Sequence, residues 1–331
     1  MFNNLINYHD ITRLIWGVRH GYFPKIISRL TKGKSARVKN AWKDSTKRPS
    51  SWWIIPEVSK YYNYLISGDH NIDYYNYIAN KYLSTQKGLQ GLSLGCGSGH
   101  RELKWSSLCD FKKIQAYDLS EARINLAKRL AQEKGSGGII DYHAADINKI
   151  DFQEDYYDVI FMEQSLHHIS PLKNMLKKIN KSLTSNGYFI LNEYVGPSRF
   201  QWTERQLRAA NGIRSFLPQK YKKHIVDGST NKSIIRPSRL SMILKDPSEA
   251  IESEKIIPLI KDIFDIVEIR PYNGAITHLL FDGIAHNFLS RDEETLGYIQ
   301  LCLQIENLLT KNNDIQSDFA VAVCQKKSIH S

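Results

Sequence analysis

An α/β fold, with a parallel sheet covered by helices on both faces, is predicted for this chain of 331 residues. Three observations predict it. From residue 88, short apolar runs alternate with helical segments. A glycine-rich loop, Gly95-Cys96-Gly97-Ser98-Gly99, follows the first run. Acidic residues, Asp118 and Asp146, close the next two. Strand, helix, strand at this interval makes βαβ units, whose parallel strands are buried on both faces.

The elements follow in order. Residues 1–87 read as a helical, basic N-terminal region. Leu5, Ile11, Leu14, Ile15 and Val18 recur at near-helical spacing, and an aromatic patch, Trp52-Trp53-Ile54-Ile55, ends at Pro56. Residues 88–195 form the core. Its expected strands are Gly91–Leu94, Ile114–Asp118, Ile139–Ala145, Tyr157–Met162 and Gly187–Glu193. Its expected helices are Arg101–Ser107, Glu121–Glu133 and Pro171–Leu183. Residues 196–260 break the rhythm and read as a helical insertion or lid, in which Asp246-Pro247-Ser248-Glu249 resembles a helix start. Residues 261–331 complete the sheet with strands at Phe264–Ile269 and Phe319–Cys324, separated by a helix over Glu294–Leu309.

Composition narrows the class. An aromatic share of 11% with 6 Trp argues against a largely disordered chain. No run of about 18 apolar residues is present, so a spanning helix is not expected. The first ten residues lack a basic head and an apolar core, so no secretory signal is expected. The four Cys (Cys96, Cys109, Cys302, Cys324) form no CxxC pair, which excludes a disulfide scaffold and suits a cytoplasmic location. The net charge is +11, and residues 1–50 hold eleven Lys/Arg against Asp10 and Asp44. That segment suits a nucleic acid, an anionic lipid surface or simple solvation.

The glycine loop carries the strongest chemical signal. Glycines at alternate positions after a strand let the backbone turn sharply and let a ligand lie against it. His100 holds the place of the third glycine of a dinucleotide fingerprint, and no Gly-Lys-Ser/Thr of a P-loop follows. Asp118, about 20 residues further on, can accept both hydroxyls of a ribose, or cap the next helix. Asp146 can accept an exocyclic adenine N–H while Ile147 covers the ring.

Gly95–Gly99, Asp118, Ala145-Asp146-Ile147 and Tyr157-Asp158-Val159-Ile160 together resemble the class I S-adenosylmethionine-dependent methyltransferases, over roughly residues 88–195. The resemblance implies a Rossmann-like, seven-stranded, mostly parallel sheet with an antiparallel last strand. It implies S-adenosyl-L-methionine as cofactor, held by Gly95, Cys96, Gly97, Gly99, Asp118, Leu119, Asp146, Ile147 and Glu163. It leaves the methyl acceptor open.

On the acceptor side, Ser165-Leu166-His167-His168 follows the fourth strand, and many small-molecule members of the family carry a similar Leu-His-His stretch. The Asn/Asp-Pro-Pro-aromatic motif of the DNA amino-methylating enzymes is absent. A hydroxyl acceptor needs a base, for which His167, His168 and Glu193 are candidates. Tyr194, Arg199, Trp202 and His278 are candidate acceptor contacts. His143, His167, His168 and Asp146 show no short-range ligand spacing, so no metal is expected. The expected function is methyl transfer to oxygen of a small or carbohydrate-like acceptor. Two alternatives stand beside it: an RNA methyltransferase using the basic N-terminus and Trp52-Trp53, and a non-catalytic cofactor-binding scaffold docked on a membrane or partner.

Overall fold

The computed structural model describes residues 5–6, 51–230 and 233–327. The basic N-terminal segment and its expected helix therefore lie, apart from Leu5 and Ile6, outside the described residues. Among the described residues no helix is long and apolar enough to cross a membrane.

The chain enters through α1 (Pro56–Ser67) and α2 (Tyr74–Ile78), which runs on as a π turn over Ala79–Leu83. Then come β1 (Leu89–Leu94), α3 (His100–Leu108), β2 (Phe111–Asp118), α4 (Glu121–Glu133), β3 (Ile140–Ala144), β4 (Tyr157–Glu163), α5 (Leu172–Ser182) and β5 (Leu183–Tyr194). Helices α6 (Glu204–Phe216), α7 (Arg239–Lys245) and α8 (Ile256–Ile263) lead to β6 (Phe264–Pro271). Helices α9 (Thr277–Phe281) and α10 (Glu293–Lys311) lead to β7 (Phe319–Lys326). The seven strands lie in the order β3-β2-β1-β4-β5-β7-β6. β7 is antiparallel to both β5 and β6, and the other pairings are parallel.

Alternation along the strands builds two cores, one on each face. In β4, Val159 and Phe161 face one cluster, while Ile160 and Met162 face the other. In β7, Val321 and Val323 divide from Ala322 and Cys324 in the same way. Helices α5 and α8 cover the second face. α5 buries Leu172, Met175, Leu176 and Ile179, the i, i+3, i+4, i+7 stripe of an amphipathic helix. The first face takes α1, α3, α4, α6, α9 and α10. Trp105 of α3 stacks on Phe161 with ring centroids 4.6 Å apart.

Three local features depart from the sequence reading. Trp52 is 3% exposed, stacked on Trp53 and packed on Tyr62 and Phe319. Trp52 is therefore core packing, while Trp53 stays 36% exposed above it. Asp246–Glu249 is a turn and not a helix start. The Arg199 guanidinium donates to the carbonyls of Pro247 and Glu249, and the Arg199 N–H donates to the carbonyl of Ala250. Those carbonyls are then unavailable for helical bonds. The insertion is helical only in part: after the short 3₁₀ turn Gln219–Lys222, the described residues stay non-helical up to α7.

Glu268 on β6 ties the N-terminal layer to the sheet. It accepts from Tyr77, Tyr82, Lys81 and Arg270. Burial opposes its charge, but these donors hold the carboxyl at about 2. A carboxyl lowered from 4.5 on folding adds stability above pH 4.5 and loses it as the pH falls towards 2. Glu268→Gln is therefore expected to lower unfolding free energy by about 1 kcal/mol at pH 7, with Lys81 and Arg270 half-exposed and partly screened. The difference from wild type should narrow steadily in urea titrations as the pH falls from 4.5 towards 2; a gap independent of pH would contradict it.

Candidate active site

Strand order reverses between β1 and β4, so a crevice opens beyond their carboxyl ends. The glycine loop lines one side. The N–H groups of Gly95 and Cys96 both donate to the Tyr117 carbonyl on β2, which bends the chain back across the sheet. Gly95 sits at φ 84°, and a Cβ there would lie 2.5 Å from the Ser165 Cβ. Gly95→Ala is thus both strained and blocked, and is expected to abolish cofactor binding while the rest of the sheet still melts cooperatively. Wild-type S-adenosylhomocysteine affinity in that variant would refute the close approach. At Gly97 the space is open: a Cβ would meet only Arg123, at 3.6 Å.

Asp118 sits at the end of β2, half-buried. Its Oδ2 accepts from the Gly97 N–H at 2.9 Å and its Oδ1 from the Ser120 N–H at 2.8 Å. It thereby braces the loop and the start of α4, with Leu119 half-buried beside it. Asp146 lies past β3, its carboxylate accepting from the Asn148 N–H, and Ile147 is buried in the second core. Cys96 is buried, and burial pushes its thiol well above the ordinary range.

Glu163 ends β4 on the α3 side. Its Oε2 accepts from Trp105 Nε1 at 3.1 Å, and Oε1 is buried. Arg101, which follows the glycine loop, donates to the Glu163 carbonyl. Burial raises the Glu163 carboxyl, with Arg101 and Trp105 opposing. The buried Tyr74 hydroxyl and Tyr75 also face this carboxyl and favour its charged form.

Across the crevice, the β4–α5 loop is organised by Glu193 of β5. This carboxylate is fully buried and takes donors on both oxygens: Ser165 N–H, Leu166 N–H at 2.6 Å, His167 Nδ1 at 2.6 Å and Tyr194 N–H at 3.1 Å. With four donors on its two oxygens, Glu193 suits a positioning group better than the base its place in the sequence suggested. His167 presents its other nitrogen, Nε2, to Glu249 Oε1 at 3.4 Å. Burial pushes its ring down, but Glu193 and then Glu249 override this and carry it up to about 10. His167 is accordingly charged at neutral pH and does not suit a base.

His168 differs. Its Nδ1 lies 3.2 Å from Ser248 Oγ, whose own hydrogen goes to Asp246 Oδ1 at 2.6 Å. Nδ1 must therefore be the protonated nitrogen, leaving the lone pair on Nε2, 4.0 Å from Glu249 Oε1. Burial and the neighbouring His167 charge lower its ring to about 4, so it is neutral at pH 7. His143, by contrast, is exposed and stacks on Tyr117.

An aromatic wall completes the region. Tyr194 packs on Phe200 and Phe319, and Phe200 stacks on Trp202. His278 lies among Trp52, Tyr194, Phe200, Trp202 and Phe319. Burial lowers the His278 ring. His278 Nδ1 and Trp202 Nε1 are buried without partners. Arg199 does not suit an anion site, because its guanidinium is committed to the 247–249 carbonyls. Sequence reasoning missed Arg101, Tyr74, Ser248 and Glu249. Only Ser248 and Glu249 left a trace there, inside the turn read as a helix start.

The sheet order and the glycine loop at its reversal are those that the resemblance to the class I S-adenosylmethionine-dependent methyltransferases implies. Residues 92–191 match the family model described as "Methyltransferase domain". Among curated relatives, the uncharacterized methyltransferase YcgJ of Bacillus subtilis (strain 168) is 24% identical over 106 residues, which cover 32% of this chain and 41% of that protein. A malonyl-[acyl-carrier protein] O-methyltransferase of Legionella pneumophila is 27% identical over 120 residues, covering 36% and 41%. The matched segment thus spans about two fifths of these relatives' length. The geranyl diphosphate C-methyltransferase of Streptomyces coelicolor A3(2) superposes with a TM-score of 0.51 at 11% identity, over 90% of this chain and 99% of that one, and shares the fold.

Proposed function

We propose that the chain is an enzyme that transfers a methyl group from S-adenosylmethionine to an oxygen of a small, polar or carbohydrate-like acceptor. The observation that carries this reading is the buried His168, neutral and with its Nε2 lone pair set by Ser248, beside the glycine loop and an aromatic wall. The residues present fit the cofactor. Asp118 suits the ribose, Asp146 and Ile147 the adenine, and the Glu163 carboxylate the methionyl ammonium. When bound, S-adenosylmethionine supplies a methyl group on a sulfonium, whose C–S bond breaks as the acceptor O–C bond forms.

This chain's own part is placement and proton handling. His168 Nε2 takes the acceptor hydroxyl proton, and Glu249 stabilises the imidazolium that results. Glu193 and His167 hold the loop. Tyr194, Phe200 and Trp202 exclude water and face the acceptor, to which Trp202 Nε1 and His278 Nδ1 offer polar contacts. The malonyl-[acyl-carrier protein] O-methyltransferase and the geranyl diphosphate C-methyltransferase are named for oxygen and for carbon, so the choice of oxygen rests on His168.

Transfer of labelled methyl is measured against nucleotide sugars, free hexoses and simple phenols. The expected result is label on oxygen, with turnover about 100-fold lower in His168→Ala at unchanged S-adenosylhomocysteine affinity. Label on carbon or on added RNA, or full turnover by His168→Ala, overturns the reading.

A further inference from the structure

We propose that His167, His168 and Glu249 form a divalent-metal site of the two-histidine, one-carboxylate type, for a zinc-like ion of borderline softness. One ligand atom from each lies within 4.8 Å of the other two. The Glu249 oxygen stands 3.4 Å from His167 Nε2 and 4.0 Å from His168 Nε2. Ligands about 2.0–2.2 Å from a shared ion lie a little over 3 Å apart, so a small contraction of the His168 side completes the set.

The surroundings matter more than the distances. A histidine that ligates through one nitrogen needs the other held by an outer partner, which fixes the tautomer and aims the ring. Both rings here have that partner. His167 Nδ1 is bonded to the Glu193 carboxylate, and His168 Nδ1 to Ser248, itself fixed by Asp246. Both Nδ1 atoms therefore carry a hydrogen and both Nε2 atoms turn towards the Glu249 oxygen; His167 would give up its Nε2 hydrogen when an ion binds, since ligands must be deprotonated. An ion pair between His167 and Glu249 alone gives no reason for His168 to be held in the matching tautomer.

His167 and His168 sit on the loop after β4, and Glu249 on the turn clamped by Arg199. An ion with three protein ligands keeps open positions for an oxygen donor. The loop that carries the histidines adjoins the glycine loop, because Ser165 Oγ donates to the Leu94 carbonyl and its Cβ packs on Gly95. The acceptors that suit such a site are those offering a hydroxyl with a neighbouring oxygen, such as a diol, an α-hydroxy acid or a catechol. Ion binding itself does not depend on the methyl-transfer reading. The acceptor class does, and in the loaded protein His168 is a ligand and the bound ion takes over activation of the hydroxyl.

The test is cobalt(II) titration of the full chain after chelator treatment, followed by its visible d–d absorption, with S-adenosylhomocysteine affinity measured on the same samples. One cobalt per chain is expected. Glu249→Gln should weaken uptake roughly 100-fold and Ser248→Ala about tenfold, both with S-adenosylhomocysteine affinity retained. No d–d band in wild-type protein that binds S-adenosylhomocysteine overturns the site and leaves the methyltransferase reading standing, as does wild-type uptake by Glu249→Gln. Cobalt uptake with the expected variant losses, but without S-adenosylhomocysteine binding, supports the site and counts against the methyltransferase reading alone.

Discussion

Asp118→Ala is expected to weaken S-adenosylhomocysteine binding by roughly 100-fold, about 2.7 kcal/mol. Two effects add. The carboxylate is the group at the end of β2 suited to a pair of ribose hydroxyls, and charge-assisted hydrogen bonds contribute about 1.5–3 kcal/mol each. It also fixes the loop before any ligand arrives, through Gly97 N–H on one oxygen and Ser120 N–H on the other. Asp118→Asn separates the two effects. Its amide oxygen can keep one of the two backbone bonds, but its NH₂ cannot accept the other. An intermediate loss, about tenfold, is expected for Asn. Calorimetry on folded protein decides: Asp118→Ala with wild-type affinity would remove the ribose assignment and with it the cofactor crevice as described.

What the sequence made legible follows from which interactions are local. The glycine loop was readable because a sharp turn after a strand is a property of Gly95, Gly97 and Gly99 themselves. The strands were readable because each face repeats every second residue, as in Ile160 and Met162 against Val159 and Phe161. The acceptor side was less so. His167 and His168 are identical in sequence terms, yet Glu193 and Glu249 charge one while Ser248 fixes the neutral tautomer of the other. Those partners come from β5 and from the insertion, and no spacing rule links them. Glu249 in particular reaches the histidines only because Arg199, 50 residues before it, takes the carbonyls that a helix would need. Trp52 is the reverse case. An aromatic pair beside a basic segment read as a surface, but Tyr62 and Phe319 bury Trp52 and leave only Trp53 exposed.

Glu193→Ala is expected to produce the largest stability loss of any single change at the site, about 3–5 kcal/mol. The substitution removes the acceptor for Ser165 N–H, Leu166 N–H, His167 Nδ1 and Tyr194 N–H at one stroke, in a place with no solvent exposure to replace them. It also leaves the His167 charge with Glu249 alone. For a chain of this size the melting temperature should fall by roughly 5–10 °C. Glu193→Gln keeps the shape but turns an NH₂ towards donors, so it should recover only part of the loss. The same pair of variants separates positioning from catalysis. If Glu193 were the base, turnover would collapse while the melting temperature held. Because it orders the loop that carries His168, stability and turnover should fall together, with Gln between wild type and Ala in both. An unchanged melting temperature in Glu193→Ala would show that the loop does not depend on this carboxylate.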